Sequence, residues 1–185
     1  MRPQTAKEQQ DLLDKDPHYQ AMMAHKRQMW EEQASILREN EKPLVEALTD
    51  AGWPANIEQH GQFRSVWNLV NTAEPYPHLL EPLAKHLRMP YHKRVREGIV
   101  RALAVREARK TPIPRIVVDQ LKFEIDPCDG PNSLRWVMVN TLMFIGDRSL
   151  VSDIEEMIQN PQFLLVKIDL ERLLAKLNRR RHKNK

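Results

Sequence analysis

Apolar residues recur through the second half of the chain at offsets of three and four, the interval that lines up one face of an α-helix. The spacing predicts three helix pairs, about 76–88 with 91–104, about 112–125 with 132–145, and about 149–159 with 162–177. One pattern occurs twice. Leu83, Leu87, Pro90, Val95, Ile99 and Leu103 are matched, 71 residues later and without a gap, by Ile154, Ile158, Pro161, Val166, Leu170 and Leu174. Five apolar positions and a shared proline describe a helix, a tight turn and a second helix. A repeated unit of this kind predicts a stacked-helix solenoid, whose usual work is binding rather than catalysis. The middle pair is set apart by a longer connection, Asp126 to Pro131, and Pro82 predicts a kink in the first helix of the first pair.

Ahead of the pairs, Asp14 or Asp16 followed by Pro17 marks a helix start. Met22, Met29, Trp30, Ile36 and Leu37 then form one face and Lys26, Arg27, Glu31, Glu32, Arg38 and Glu39 the other, to about Asn40. Pro43 is expected to interrupt this helix before Leu44, Val45 and Leu48 carry the stripe to Gly52-Trp53-Pro54. Methionines and a tryptophan in place of a leucine seam argue for packing on the rest of the chain rather than a long coiled coil. A polar connector, 55–62, leads to a short helix from Phe63 to Val70. The domain expectation is therefore a helical arm or cap over 1–54, a repeat domain over 63–177 and a basic, disordered tail over 178–185.

The stretch VREGIVRALA, Val95 to Ala104, resembles the second helix of a HEAT repeat, and Ile145-Gly-Asp147 with Asn160-Pro161 resembles the junction between such repeats. The resemblance covers about Tyr76 to Leu177. It implies an all-α, short right-handed HEAT-like (armadillo-like) solenoid of about three helix pairs with a long N-terminal capping helix. HEAT repeats usually carry an aspartate shortly before the Val-Arg pair; Tyr91 and His92 stand there instead, a departure that implies an irregular ladder. The order of a long helix, a Val-Trp-Asn-Leu-Val-Asn segment and then repeats also resembles small bacterial HEAT-repeat proteins of unassigned function.

Composition narrows the function classes. Cys128 is the single cysteine, which excludes an internal disulfide and a cysteine-rich metal site. No apolar run reaches the roughly 20 residues that span a bilayer, and the N-terminal residues lack a secretory signal, so a cytoplasmic protein without membrane contact is expected. Histidines stand at spacings unsuited to sharing a metal, and no glycine-rich phosphate loop or nucleophile elbow is present, so no metal or cofactor is expected. Asp153, Glu155 and Glu156 cluster at a helix start, where carboxylates complement the positive end of the dipole. His78, His86 and His92 are expected at the surface or a groove edge. The four tryptophans are expected in the core, with Trp53 the best candidate for an exposed anchor.

Charge carries the functional expectation. The net charge of +4 divides unevenly: residues 1–62 hold 7 Lys/Arg against 11 Asp/Glu, and residues 63–177 hold 17 against 14. Between Arg88 and Lys110 lie Arg88, Lys93, Arg94, Arg96, Arg101, Arg106, Arg109 and Lys110 against only Glu97 and Glu107. In a HEAT solenoid second helices line the concave side, which implies a basic stripe of Lys93, Arg94, Arg96, Arg101, Arg135, Lys167 and Arg172. Such a stripe suits an acidic protein surface, and the expected function is a non-catalytic adaptor or immunity-type binder. Nucleic acid is the alternative partner. Trp136 with Asp147, or Trp67 with Asp119, is similar to the aromatic-plus-carboxylate cleft of HEAT-like alkylpurine DNA glycosylases. The same charges also permit plain intrachain pairing, Arg94 with Glu97 and Glu97 with Arg101.

Overall fold

The computed structural model describes Thr5, Lys7 and residues 14–53, 65–124 and 133–179. Expectations that fall on 55–62, Phe63, Asp126–Pro131, Cys128 and residues 180–185 lie outside them. The described chain is all-helical, with eight α-helices and no strand. They are α1 (Pro17–Asp50), α2 (Val66–Val70), α3 (Leu80–His86), α4 (Lys93–Ala102), α5 (Ile113–Phe123), α6 (Leu134–Ile145), α7 (Val151–Gln159) and α8 (Lys167–Arg179). Short 3₁₀ turns, Pro77–Leu79, Arg106–Lys110, Arg148–Leu150 and Pro161–Val166, lead into α3, α5, α7 and α8. No described helix is long and apolar enough to cross a membrane.

The chain divides into two compact units, Met1–Glu39 and Asn40–Lys185, and the division falls inside α1. In the first unit, Asp16 Oδ1 accepts the His18 N–H at 2.8 Å, capping the helix that Pro17 opens. Met22, Met29, Trp30 and Ile36 are exposed there, Trp30 by 58%, which corrects the expectation of a core tryptophan.

In the second unit α1 continues through Pro43 to Asp50, where an interruption is expected from sequence. Pro43 is exposed, so the carbonyl its missing N–H leaves unpaired can face water. Leu44 and Leu48 are fully buried. The end is a glycine cap: Gly52 has φ +95°, its N–H reaches Thr49 O at 2.9 Å, and Trp53 N–H reaches Leu48 O at 2.8 Å. That cap folds Trp53 inward to 3% exposure, so it is a core residue and not the expected surface anchor.

The helix pairs emerge with trimmed ends. α3 packs on α4, α5 on α6 and α7 on α8, while α4, α6 and α8 also pack in succession and α2 lies on α4. Pro82, expected to kink its helix, falls in the first turn of α3, where no N–H is required. His92 caps α4 in place of the expected aspartate, its Nδ1 accepting the Arg94 N–H at 3.2 Å. α6 is the hub, packing against α4, α5 and α8. It buries Leu134, Val137, Met138, Val139, Leu142 and Ile145, so its apolar residues extend around much of the helix.

Two close approaches set the spacing of this core. Gly98 on α4 lets α2 come near, since an added Cβ would collide with Val66 Cγ1 and stand 3.1 Å from Trp67 Nε1. The Glu41 carboxylate of α1 accepts from Val66 N–H at 2.5 Å and from Ser65 Oγ at 3.0 Å, tying the start of α2 to α1. Burial pushes the Glu41 carboxyl above its usual range, although both hydrogen bonds pull the other way.

A guanidinium-edged groove between α2, α4 and α6

Where α2, α4 and α6 meet, Val70, Arg101, Ala104, Trp136, Val137, Asn140 and Thr141 line an open depression of about 360 Å³. A second of about 320 Å³ adjoins it, sharing Val70, Arg101 and Ala104 and reaching Tyr76, Arg106, Glu107 and Phe144. The floor is held by bonds to backbone carbonyls. Thr141 Oγ1 donates to Val100 O at 3.2 Å, and Tyr76 Oη to Ala102 O at 2.8 Å. Burial, reinforced by nearby Glu107, pushes the Tyr76 hydroxyl up to about 12, so it stays a donor.

Arg101 is the cation at the centre of this surface. Glu97 Oε1 accepts from its Nε at 2.9 Å, and Glu97 Oε2 takes Arg94 Nη1 at 3.4 Å. Two guanidiniums therefore share one carboxylate and leave a net positive charge. Both also address the Trp67 ring, Arg94 at 4.0 Å and Arg101 at 6.0 Å from its centroid. Trp67 is thus a half-buried platform on α2 rather than a core residue, and Trp136 is a half-buried groove wall.

The remaining members of the expected stripe separate into different roles. Arg135 is buried, at 8% exposure. Its Nε donates to Glu124 O at 2.7 Å, its Nη2 to the same oxygen, and its Nη1 to Gln162 O at 2.6 Å. The guanidinium lies 4.9 Å from the Phe163 ring centroid. This corrects the expectation that Arg135 presents its charge at the surface: it ties chain ends flanking α6 together. Arg96 pairs with Glu124 Oε2 at 2.5 Å and is mostly covered. Arg172 is exposed beside Asp169 at 3.3 Å. Lys93 and Lys167 are half-buried. α6 lies between α4 and α8, so Arg101 and Arg172 stand on helices separated by a third.

Other candidate groups are engaged locally. Asp119 faces Arg115 at 3.1 Å, and Asp147 Oδ1 caps a 3₁₀ turn by accepting from Ser149 N–H at 2.8 Å. Asp153 holds Arg115 Nη1 at 2.5 Å and Lys122 Nζ at 2.8 Å, joining α5 to α7. Burial raises the Asp153 carboxyl, but those cationic hydrogen bonds outweigh it and hold the group below its usual range. His86, expected at the surface, is buried at 6%, with Nδ1 2.6 Å from Tyr91 Oη. Burial, with Lys85 adding to it, lowers the His86 pKa. No three His, Cys, Asp or Glu among the described residues are placed to hold a metal ion.

Sequence reasoning found Arg94 and Arg101 and named Trp67 and Trp136 only as parts of an aromatic-plus-carboxylate cleft; it missed the pairing of Trp136 with Asn140 in the groove wall. The available signal was their spacing: Trp136 and Asn140 lie one helical turn apart on α6. No protein-family model, curated protein or solved structure matches the chain.

Proposed function

We propose that this protein is a non-catalytic binding module that takes an acidic segment of a partner protein into the groove between α2, α4 and α6. The observation that carries the reading is Arg101, held by Glu97 and facing Trp67, at the edge of a depression walled by Val70, Ala104 and Trp136. A fixed guanidinium fork suits a carboxylate, and the adjoining aromatic and aliphatic wall suits the side chains of a peptide. The succession of α4, α6 and α8, each backed by a preceding helix, supports a HEAT-like solenoid as the scaffold. In that reading the Arg96–Glu124 pair, joining α4 to the residue after α5, acts as a bridge between repeats.

An arginine fork suits phosphate as well as carboxylate. A nucleic-acid backbone, however, asks for several free cations together, so the scatter of these charges and the apolar walls of the groove favour protein. Phosphate binding draws its energy from cations that shed counterions. Here Arg94, Arg96, Arg101 and Arg172 each face a carboxylate, and Arg135 is spent on carbonyls. The test is binding of a displayed library of acidic peptides, read out by anisotropy. Selected peptides should lose at least roughly tenfold in affinity on Arg101→Glu or Trp136→Ala. Failure to select any peptide, or retained affinity in both variants, rejects the reading. Salt-dependent binding to duplex DNA would favour the nucleic-acid alternative.

A further inference from the structure

A second surface is independent of the groove. In the Met1–Glu39 unit, three neighbouring couples follow one another at intervals of seven: Met22-Met23, Met29-Trp30 and Ile36-Leu37. Met22, Met29, Trp30 and Ile36 are exposed and Met23 and Leu37 half-covered, so among the described residues of this unit the face is largely open. Lys26 and Gln33 fill the gaps between the couples on the same face, and Lys26 Nζ lies 5.0 Å from the Trp30 ring centroid.

The order of these residues is palindromic about the bond between Met29 and Trp30. Reversing the helix end for end puts Met22 opposite Leu37, Met23 opposite Ile36, Met29 opposite Trp30 and Lys26 opposite Gln33. Arg27 then comes level with Glu32. We propose that this face pairs with the same face of a second copy, antiparallel, about a two-fold axis between Met29 and Trp30. The charges select the orientation. A parallel, in-register pair would press Lys26 against Lys26 in the middle of an apolar seam, where like charges are costly. The antiparallel pair sets Lys26 against an uncharged amide and brings each basic turn level with the partner's acidic one. From Pro17 to Glu39 the helix offers roughly 35 Å of seam at 1.5 Å per residue. The arrangement closes on itself, as an isologous interface must.

The full chain should sediment as a dimer at micromolar to submillimolar concentration. Gln33→Lys, an exposed change to another good helix former, would face Lys26 of the partner and should weaken the dimer at least roughly tenfold. The swap Lys26→Gln with Gln33→Lys should restore it. In a Cys128→Ser background, Met22→Cys mixed with Leu37→Cys should form a disulfide-linked heterodimer under mild oxidation, while neither alone cross-links with itself. A chain that stays monomeric, its face covered in cis, overturns the proposal. So does a dimer indifferent to Gln33→Lys, or Met22→Cys self-linking in preference to the mixture.

Discussion

The carbonyl oxygen of Glu124 accepts both the Nε and the Nη2 hydrogens of Arg135, while the Glu124 carboxylate is paired with Arg96. One residue at the end of α5 thus receives two arginines from two other helices. The guanidinium of Arg135 also reaches Gln162 O, so the side chain spans chain segments before and after α6.

Arg135→Ala should therefore act on stability. Removing the guanidinium leaves the buried Glu124 carbonyl and the part-buried Gln162 carbonyl without this donor and strips a cation from the Phe163 ring, a loss of about 2–4 kcal/mol. Arg135→Lys should recover only part of it, because an ammonium cannot reproduce the two-pronged contact. Urea unfolding of the three proteins checks this; a loss below about 0.5 kcal/mol in the alanine variant would contradict it.

Gly98→Ala tests the approach of α2 to α4. Alanine favours a helix over glycine by about 1 kcal/mol, but the new Cβ would meet Val66 and Trp67. Overpacking costs about 1–3 kcal/mol, so the net change should be destabilising. The Trp67 environment should change with it, visible as a shift in fluorescence. A variant as stable as the parent would mean that α2 moves aside freely.

His86 predicts a pH dependence on the mildly acidic side. Its folded pKa lies below 6.5, so the unfolded chain takes up a proton first as pH falls. The stability associated with neutral His86 is complete above 6.5 and declines as pH drops from there through the lower folded value. Thermal midpoints should fall as pH is lowered across that window, and His86→Asn, whose amide can donate to or accept from the Tyr91 hydroxyl, should flatten the slope. An unchanged slope in that variant would assign the effect elsewhere.

Asp153 acts at lower pH. Its folded pKa lies below 3.8, so its stabilisation is present above that value and is lost as pH falls through the depressed folded value. Asp153→Asn should remove this part of the acid limb and weaken the link between α5 and α7. Acid titrations followed by circular dichroism should separate the two curves. Glu41 has the opposite sign, since its raised carboxyl favours the folded state as it takes up a proton. Glu41→Gln should accordingly leave the chain less dependent on pH in the range just above 4.5.

Helix boundaries were legible because they depend on neighbours a turn away. The spacing Val95, Ile99, Leu103 predicts a buried face, and all three are buried. Pro77, Pro112 and Pro161 fall at the turns that lead into helices, as proline's missing donor requires. The expected break at Pro43 and exposed anchor at Trp53 failed for a common reason: solvent exposure and the glycine cap decide them, and both depend on packing.

The basic residues show where sequence stops. By itself the sequence determined an all-helical chain with paired helices, an amphipathic N-terminal segment and a cluster of arginines around α4, since periodicity and composition are local properties. The pairs of Glu97 with Arg94 and Arg101 were also legible in their spacing, but the tertiary structure alone decided which arginines are spent inside the fold and which edge a groove. Arg101 edges a groove with Trp136, whereas Arg135 is spent on the carbonyls of Glu124 and Gln162. A carbonyl acceptor carries no side-chain signature, and those partners lie 11 and 27 residues away. Only folding brings them within hydrogen-bond reach, and that distance determines whether a positive charge is a tie or a site.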